Sequence, residues 1–203
     1  GFFVQARTLR KYPLRTAAHA LGYVGEVDES MIKDNPYYRQ GDNMGLSGIE
    51  KSYEKPLRGQ RGVKIVMVDV YNREKGSFEN GKYDTASVLG RSLTSSIDAE
   101  LQQYGEKLMV NKVGSIVAIE PSTGEILTMI SSPTYDPNLL VGRVKSKNYR
   151  KMLVDTLKPL YNRATMAKYP PGSTFKLVNA LIGQHEGVIN GSTLFSCSRG
   201  FHF

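Results

Sequence analysis

The chain has 203 residues, 40% of them hydrophobic and 23% charged. That is enough for one large domain or two small ones with a real core, and it excludes a disordered or collagen-like chain. A single cysteine, Cys197, excludes any intrachain disulfide. Apolar runs stay well short of the roughly 20 residues that a membrane-crossing helix needs. Gly1-Phe2-Phe3-Val4 also lacks the layout of a signal peptide. The chain therefore reads as soluble, and as a candidate piece of something longer.

The net charge of +8 is confined to one stretch. Between Arg143 and Lys176 lie Arg143, Lys145, Lys147, Arg150, Lys151, Lys158, Arg163, Lys168 and Lys176 against one acid, Asp155, while the other 169 residues carry 18 basic and 18 acidic groups. A nucleic-acid face should not sit in one connecting segment, and this segment has no regular aromatic ladder for stacking bases. It reads as a solvated basic connection, with attraction of an anionic partner or membrane surface as the second reading.

The first ninety or so residues are broken by turn signals: Leu21–Gly25, Gly41–Asn43, Arg58–Gly62 and Asn80-Gly81. Between them, Gly48–Tyr53 is a short helical candidate with Ile49 and Tyr53 on one face. Val63–Tyr71, rich in β-branched residues, predicts a strand. This half reads as a small α+β module.

A second organisation begins near Leu93. Asp98 is placed to cap a helix over Ala99–Lys112, with Leu101, Tyr104 and Leu108 on one face. Strands over Gly114–Glu120 and Glu125–Ser131, joined by Pro121-Ser122-Thr123-Gly124, predict a hairpin. Pro133, Asp136 and Pro137 end the second strand, and the basic connection runs on to Tyr169. The last element is a helix opening at Pro170-Pro171-Gly172-Ser173 and stopped by Gly187. Phe175, Leu177, Val178, Ala180, Leu181 and Ile182 surround most of its circumference, which predicts burial in the middle of a domain.

At the start of that helix stands Ser173-Thr174-Phe175-Lys176, an S-x-x-K pattern. Ser30–Lys33 and Ser52–Lys55 repeat the spacing, so the letters alone say little. Those two copies read as ordinary surface residues. The third differs in setting. A serine at a helix start meets free backbone N–H groups and the favourable end of the helix dipole. A lysine three residues on lies on the same face, and in an apolar surround its amine would lose its proton more easily and could take the serine proton. An N-terminal serine beside a snorkelling surface lysine is the plainer alternative.

Tyr169-Pro170-Pro171-Gly172-Ser173-Thr174-Phe175-Lys176, preceded by Pro159-Leu160-Tyr161-Asn162-Arg163-Ala164, resembles the active-serine segment of class B penicillin-binding proteins. Ala17–Gly25, Gly45–Glu50, Leu57-Arg58-Gly59, Ser96-Ile97-Asp98, Ile119–Leu127 and Tyr135–Asn138 fit the same family in order, most closely its elongation-type D,D-transpeptidases. Ala167, where glycine is expected, is one departure.

The resemblance implies an α+β chain in two parts: a pedestal, dimerisation-like domain over residues 1–92, and the N-terminal part of a transpeptidase domain over 93–203. It implies Ser173 as nucleophile, its backbone N–H as one oxyanion donor, and Lys176 as general base. Substrates would be peptidoglycan stem peptides, and β-lactams would acylate the same serine. Wall-elongation membrane proteins would be partners, and the site of action would be the outer face of the cytoplasmic membrane, held by an anchor this chain lacks. No metal or organic cofactor is implied.

The family's S-x-N and K-[TS]-G motifs lie well downstream of its serine, and neither occurs in the 30 residues after Ser173. Ser146-Lys147-Asn148 precedes the serine and reads as coincidence. The expectation is an inert fragment, with self-association or disorder beyond about Asp136. A non-catalytic scaffold that binds elongation partners is the rival reading.

Other candidate sites are thin. His19, His185 and His202 lack ligand spacing, and Asp98 with Glu100 reads as a helix start rather than a catalytic pair.

Overall fold

Close backbone approach shapes the first elements of this computed structural model, which describes residues 9–196. Helix α1 (Ala18–Leu21) ends at Gly22, and strand β1 (Val24–Glu26) follows. Helix α2 (Glu29–Asp34) leads to strand β2 (Asn43–Gly45), which pairs antiparallel with β1 from Val24↔Gly45 to Glu26↔Asn43. Helix α3 (Gly48–Ser52) comes next. Gly22 (φ 79) and Gly48 (φ 56) both lie in left-handed backbone, and a Cβ on Gly22 would collide with the Ser47 carbonyl. Only glycine allows both the conformation and the contact.

Helix α4 (Glu54–Arg58) precedes a ribbon of β3 (Val66–Val68) and β4 (Glu74–Ser77). The strand expected over Val63–Tyr71 is thus only three residues long. Its end has a cause: the Asp69 carboxylate accepts from the N–H groups of Tyr71 and Arg73, closing a turn that competes with the ladder. Val63 still pairs with Thr85 in an isolated bridge. This ribbon leaves much apolar surface open, with Val70 94% and Tyr71 76% accessible.

Helix α5 (Ala99–Leu108) starts at the expected cap: Asp98 Oδ1 accepts from Glu100 and Leu101 N–H, each at 2.9 Å. It ends four residues earlier than expected, before a turn with Asn111 at φ 61. The hairpin is present as β5 (Gly114–Ile119) and β6 (Ile126–Ser132), with Ile116 opposite Ile130. α5 packs on β6, but not through the expected face. Leu101, Tyr104 and Leu108 are exposed, and the buried residues are Gln102 and Gly105. Gly105 faces the Ile130 side chain, where any Cβ would collide. Gln102, 1% accessible, is bonded to Thr128, Glu106 and both backbone groups of Met129.

The expected structureless connection contains packed elements. Pro137–Leu140 forms a 3₁₀ turn capped by Asp136, with Leu140 fully buried. Helix α6 (Lys145–Leu153) and helix α7 (Arg163–Met166) follow. The inward side of α6 is the stripe Lys145, Asn148, Tyr149 and Met152, at i, i+3, i+4 and i+7. Asn148 donates to the Leu139 carbonyl at 2.8 Å, and Tyr149 lies against Tyr23.

The N-terminal stretch is stitched to these later elements. Tyr12 N–H donates to Asn138 Oδ1 at 3.0 Å while Asn138 Nδ2 donates to the Tyr12 carbonyl at 2.8 Å. Ala17 N–H donates to Glu106, and the His19 ring bonds the Pro159 carbonyl. All of this belongs to one compact unit, Gly1–Met166; Ala167–Phe203 forms a second. The second holds a 3₁₀ turn (Gly172–Thr174) that runs into helix α8 (Phe175–His185).

Candidate active site

Ser173 occupies the middle of the 3₁₀ turn, and Lys176 is the second residue of α8. Gly172, at φ 58, supplies the left-handed residue that lets the chain leave Pro170-Pro171 and turn into the helix. The Thr174 hydroxyl donates to the Pro171 carbonyl, and Phe175 N–H bonds back to Gly172 and Ser173, closing the turn. Serine thus stands where the helix presents its first unpaired N–H groups, and lysine follows on the next turn.

The enclosure expected around this pair is not formed. Ser173 and Lys176 are exposed, and so are the apolar residues of α8, with Leu177 at 73% and Leu181 at 66%. The physical reason lies in the size of the second unit. Among its described residues beyond α8 it offers a short return, in which Val188 and Ile189 N–H bond the Gly183 carbonyl and the Ile189 side chain reaches Gly183, and a turn at Asn190–Thr193. Among the described residues no hydrogen bond joins Ser173 Oγ to Lys176 Nζ.

The two other S-x-x-K copies have structural roles or none. The Ser30 hydroxyl donates to the Asp28 carboxylate, which caps α2 through Met31 N–H. Ser52 and Lys55 fall on different short helices, α3 and α4, and both are exposed. Ser146 and Lys147 project from α6 beside Asn148, whose amide holds Leu139. Asp98 caps α5, as read from the sequence. His185 ends α8, while Cys197 and His202 lie outside the described residues.

Sequence reasoning missed the anchoring of the loop before Ser173. Arg163 is 8% accessible and meets no carboxylate among the described residues; its guanidinium donates to the carbonyls of Leu157 (2.6 Å), Lys158 (3.2 Å) and Tyr161 (3.4 Å). Its N–H donates to Ser131 Oγ at 2.9 Å, and that hydroxyl donates on to the Tyr161 carbonyl. His19 Nε2 lies 2.8 Å from the Pro159 carbonyl, with its ring edge-on to Tyr135. Burial lowers the His19 pKa below its ordinary 6.5, opposed by the Pro159 bond and assisted by the Arg163 charge. The ring is thus neutral, with the proton on Nε2. A charged residue inside Pro159–Ala164 was the available signal.

A second buried cluster holds the N-terminal stretch. Glu50 pairs with Arg10 at 2.7 Å and accepts from the Tyr12 hydroxyl at 3.3 Å. Burial and the Glu50 charge raise the Tyr12 pKa. Among the described residues no three His, Cys, Asp or Glu side chains group as metal ligands, and no helix is long and apolar enough to cross a membrane.

Comparison with known proteins gives this geometry its context. Residues 1–94 match the penicillin-binding protein dimerisation domain, and residues 114–202 match the penicillin-binding protein transpeptidase domain. The chain is 36% identical over 205 residues to the peptidoglycan D,D-transpeptidase MrdA of Acinetobacter baumannii, covering 100% of this chain and 30% of that protein. It is 35% identical over 200 residues to the Escherichia coli protein of the same name, covering 95% of this chain and 31% of that one. Among solved structures, PBP2 of Pseudomonas aeruginosa superposes with a TM-score of 0.72 at 36% identity, over 91% of this chain and 37% of that one. PBP2 of Helicobacter pylori, in a complex with MreC, does so with a TM-score of 0.77 at 34% identity, over 91% and 34%. The chain thus spans about 30% of the length of the curated relatives it matches. On these matches, and on an S-x-x-K serine at the head of α8, the chain belongs to the penicillin-binding protein family.

Proposed function

We propose that this chain is a pedestal (residues 1–92) and the opening part of the catalytic domain (93–203) of a peptidoglycan D,D-transpeptidase that works on the outer face of the cytoplasmic membrane. The observation that carries the reading is Ser173 at the head of a helix with Lys176 on the next turn, inside the segment that matches a transpeptidase domain.

Ser173 Oγ attacks the carbonyl carbon of the penultimate D-alanine of a stem peptide, and the Lys176 amine takes the hydroxyl proton. The peptide bond breaks, the terminal D-alanine leaves with that proton on its nitrogen, and an acyl-serine remains. An amine from a neighbouring strand then attacks the acyl carbon, forms the cross-link and returns a proton to Ser173. The Ser173 N–H is one oxyanion donor; the family resemblance implies a second from a K-[TS]-G strand, and losing one such donor costs roughly 10²–10³ in rate. β-Lactams enter by the same attack and stop at the acyl-enzyme. None of these steps calls for a metal or organic cofactor.

Lys176 is exposed in this span, and its role as base requires an apolar enclosure that lowers the cost of its neutral form. In the full-length enzyme, Lys176→Arg keeps the charge but removes a usable base. Acylation should fall by about 10²–10⁴, and near wild-type acylation would reduce Lys176 to a structural part.

A second reading, a scaffold that docks an elongation partner, is favoured by the open apolar surface of the β3–β4 ribbon, where Val68, Val70 and Tyr71 are exposed. The complex of a structural relative with MreC gives that reading a partner of the right kind. The two readings are compatible within one protein.

A further inference from the structure

Most of the charge excess takes no part in ion pairs among the described residues. The described residues contain seven ion pairs, and none of them involves a cation of the basic stretch from Arg143 on. Two of those cations are occupied inside the fold: Arg163 by carbonyls, and Lys145 by the Tyr23 ring 5.3 Å away. The others in the first unit, Arg143, Lys147, Arg150, Lys151 and Lys158, are exposed and form no ion pair among the described residues. The inward stripe of α6 fixes their direction. With Lys145, Asn148, Tyr149 and Met152 turned to the protein, Lys147, Arg150 and Lys151 form the outer face.

We infer that this outer face of α6 binds the anionic glycan–peptide strand itself, away from the reacting bond, through the free carboxylates of stem peptides not being cross-linked. The inference rests on the transpeptidase reading above and extends it from the cleaved peptide to its polymer. Charge complementarity selects the occupant. A stem peptide ending in D-alanine carries a terminal carboxylate, and a strand repeats that charge at intervals. Three cations clustered within about one helical turn attract such a charge, and arginine forms paired hydrogen bonds to carboxylate. Val154, 75% accessible, stands on the same face one turn beyond Arg150, and a lipid surface is therefore the competing occupant that the vesicle arm of the experiment separates.

The test uses the full-length protein and soluble, uncross-linked peptidoglycan strands. Lys147→Glu/Arg150→Glu/Lys151→Glu should weaken strand binding on the order of tenfold, since each exposed charge contact is worth a fraction of that. Binding of the wild type should fall as salt rises, and should fall for strands whose peptide carboxylates are amidated. The rate of β-lactam acylation should stay unchanged, because the small inhibitor needs only the serine site. Unchanged strand binding in a triple variant that still acylates normally would overturn this inference and leave the transpeptidase reading standing. Loss of acylation in the wild type would remove the reading beneath it. Binding to vesicles containing phosphatidylglycerol that is lost in the variant, with strand binding intact, would assign the face to a membrane and overturn the inference.

Discussion

Gln102 and Met129 pair as two strands would. Met129 N–H donates to Gln102 Oε1 at 2.9 Å, and Gln102 Nε2 donates to the Met129 carbonyl at 3.1 Å. The carboxamide of α5 thereby occupies the place of a neighbouring strand beside β6, and it also bonds Glu106, which receives Ala17 N–H. Asn138 does the same for the backbone of Tyr12. Two side-chain amides thus join the beginning of the chain to its middle.

Gln102→Leu keeps the volume but leaves the Met129 groups and the Thr128 hydroxyl buried without partners. It should cost about 2–4 kcal/mol, because unsatisfied buried groups carry their full desolvation penalty. Urea unfolding measures this as a lower midpoint at unchanged slope; an unchanged midpoint would show the pairing to be incidental.

Arg163→Lys tests the carbonyl basket before Ser173. A lysine point charge cannot serve three carbonyls in the plane of a guanidinium, so the variant should lose about 2–4 kcal/mol. Hydrogen exchange over Leu157–Arg163 should rise more than over the β5–β6 hairpin. Equal protection in both proteins would mean that other contacts hold the loop.

His19 gives the fold a dependence on pH. Its pKa in the fold is below 6.5, so above that value both folded and unfolded chains carry it neutral and its contribution is complete. As pH falls from about 6.5, the unfolded chain takes the proton first, and stability is lost until pH passes the lower folded value. Burial of the ring is the main cause of the lowered pKa; the Pro159 bond opposes it, the Arg163 charge adds to it and Glu106 favours the imidazolium. His19→Gln keeps a donor for Pro159 without titrating. Its unfolding midpoint should therefore decline less than that of the wild type between pH 7 and 5, and parallel profiles would contradict the assignment.

Local chemistry was legible in the sequence where a few adjacent residues decide the outcome. Asp98 caps α5, Pro121–Gly124 turns the hairpin, and Gly172-Ser173 opens the approach to α8. What the sequence hid were decisions made at a distance. Periodicity marks the faces of α5 but not which is covered, and Ile130 selects the face with Gly105 over that with Leu101 and Tyr104. A charged residue such as Arg163 reads as surface until the loop carbonyls that surround it are in place. The apolar residues of α8 announce burial, yet they are exposed among the described residues. The proposal of Ser173 and Lys176 rests on the S-x-x-K setting at the head of α8 and on the family resemblance, not on burial.

The most direct test of the account is the site of penicillin acylation in the full-length protein, read by peptide mass mapping. The account predicts one acyl adduct, on Ser173, that disappears in Ser173→Ala while the variant's unfolding free energy stays within about 0.5 kcal/mol of the wild type, since the change removes one hydroxyl and adds no bulk. An adduct on Ser30 or Ser52, or one that persists in Ser173→Ala, would contradict it.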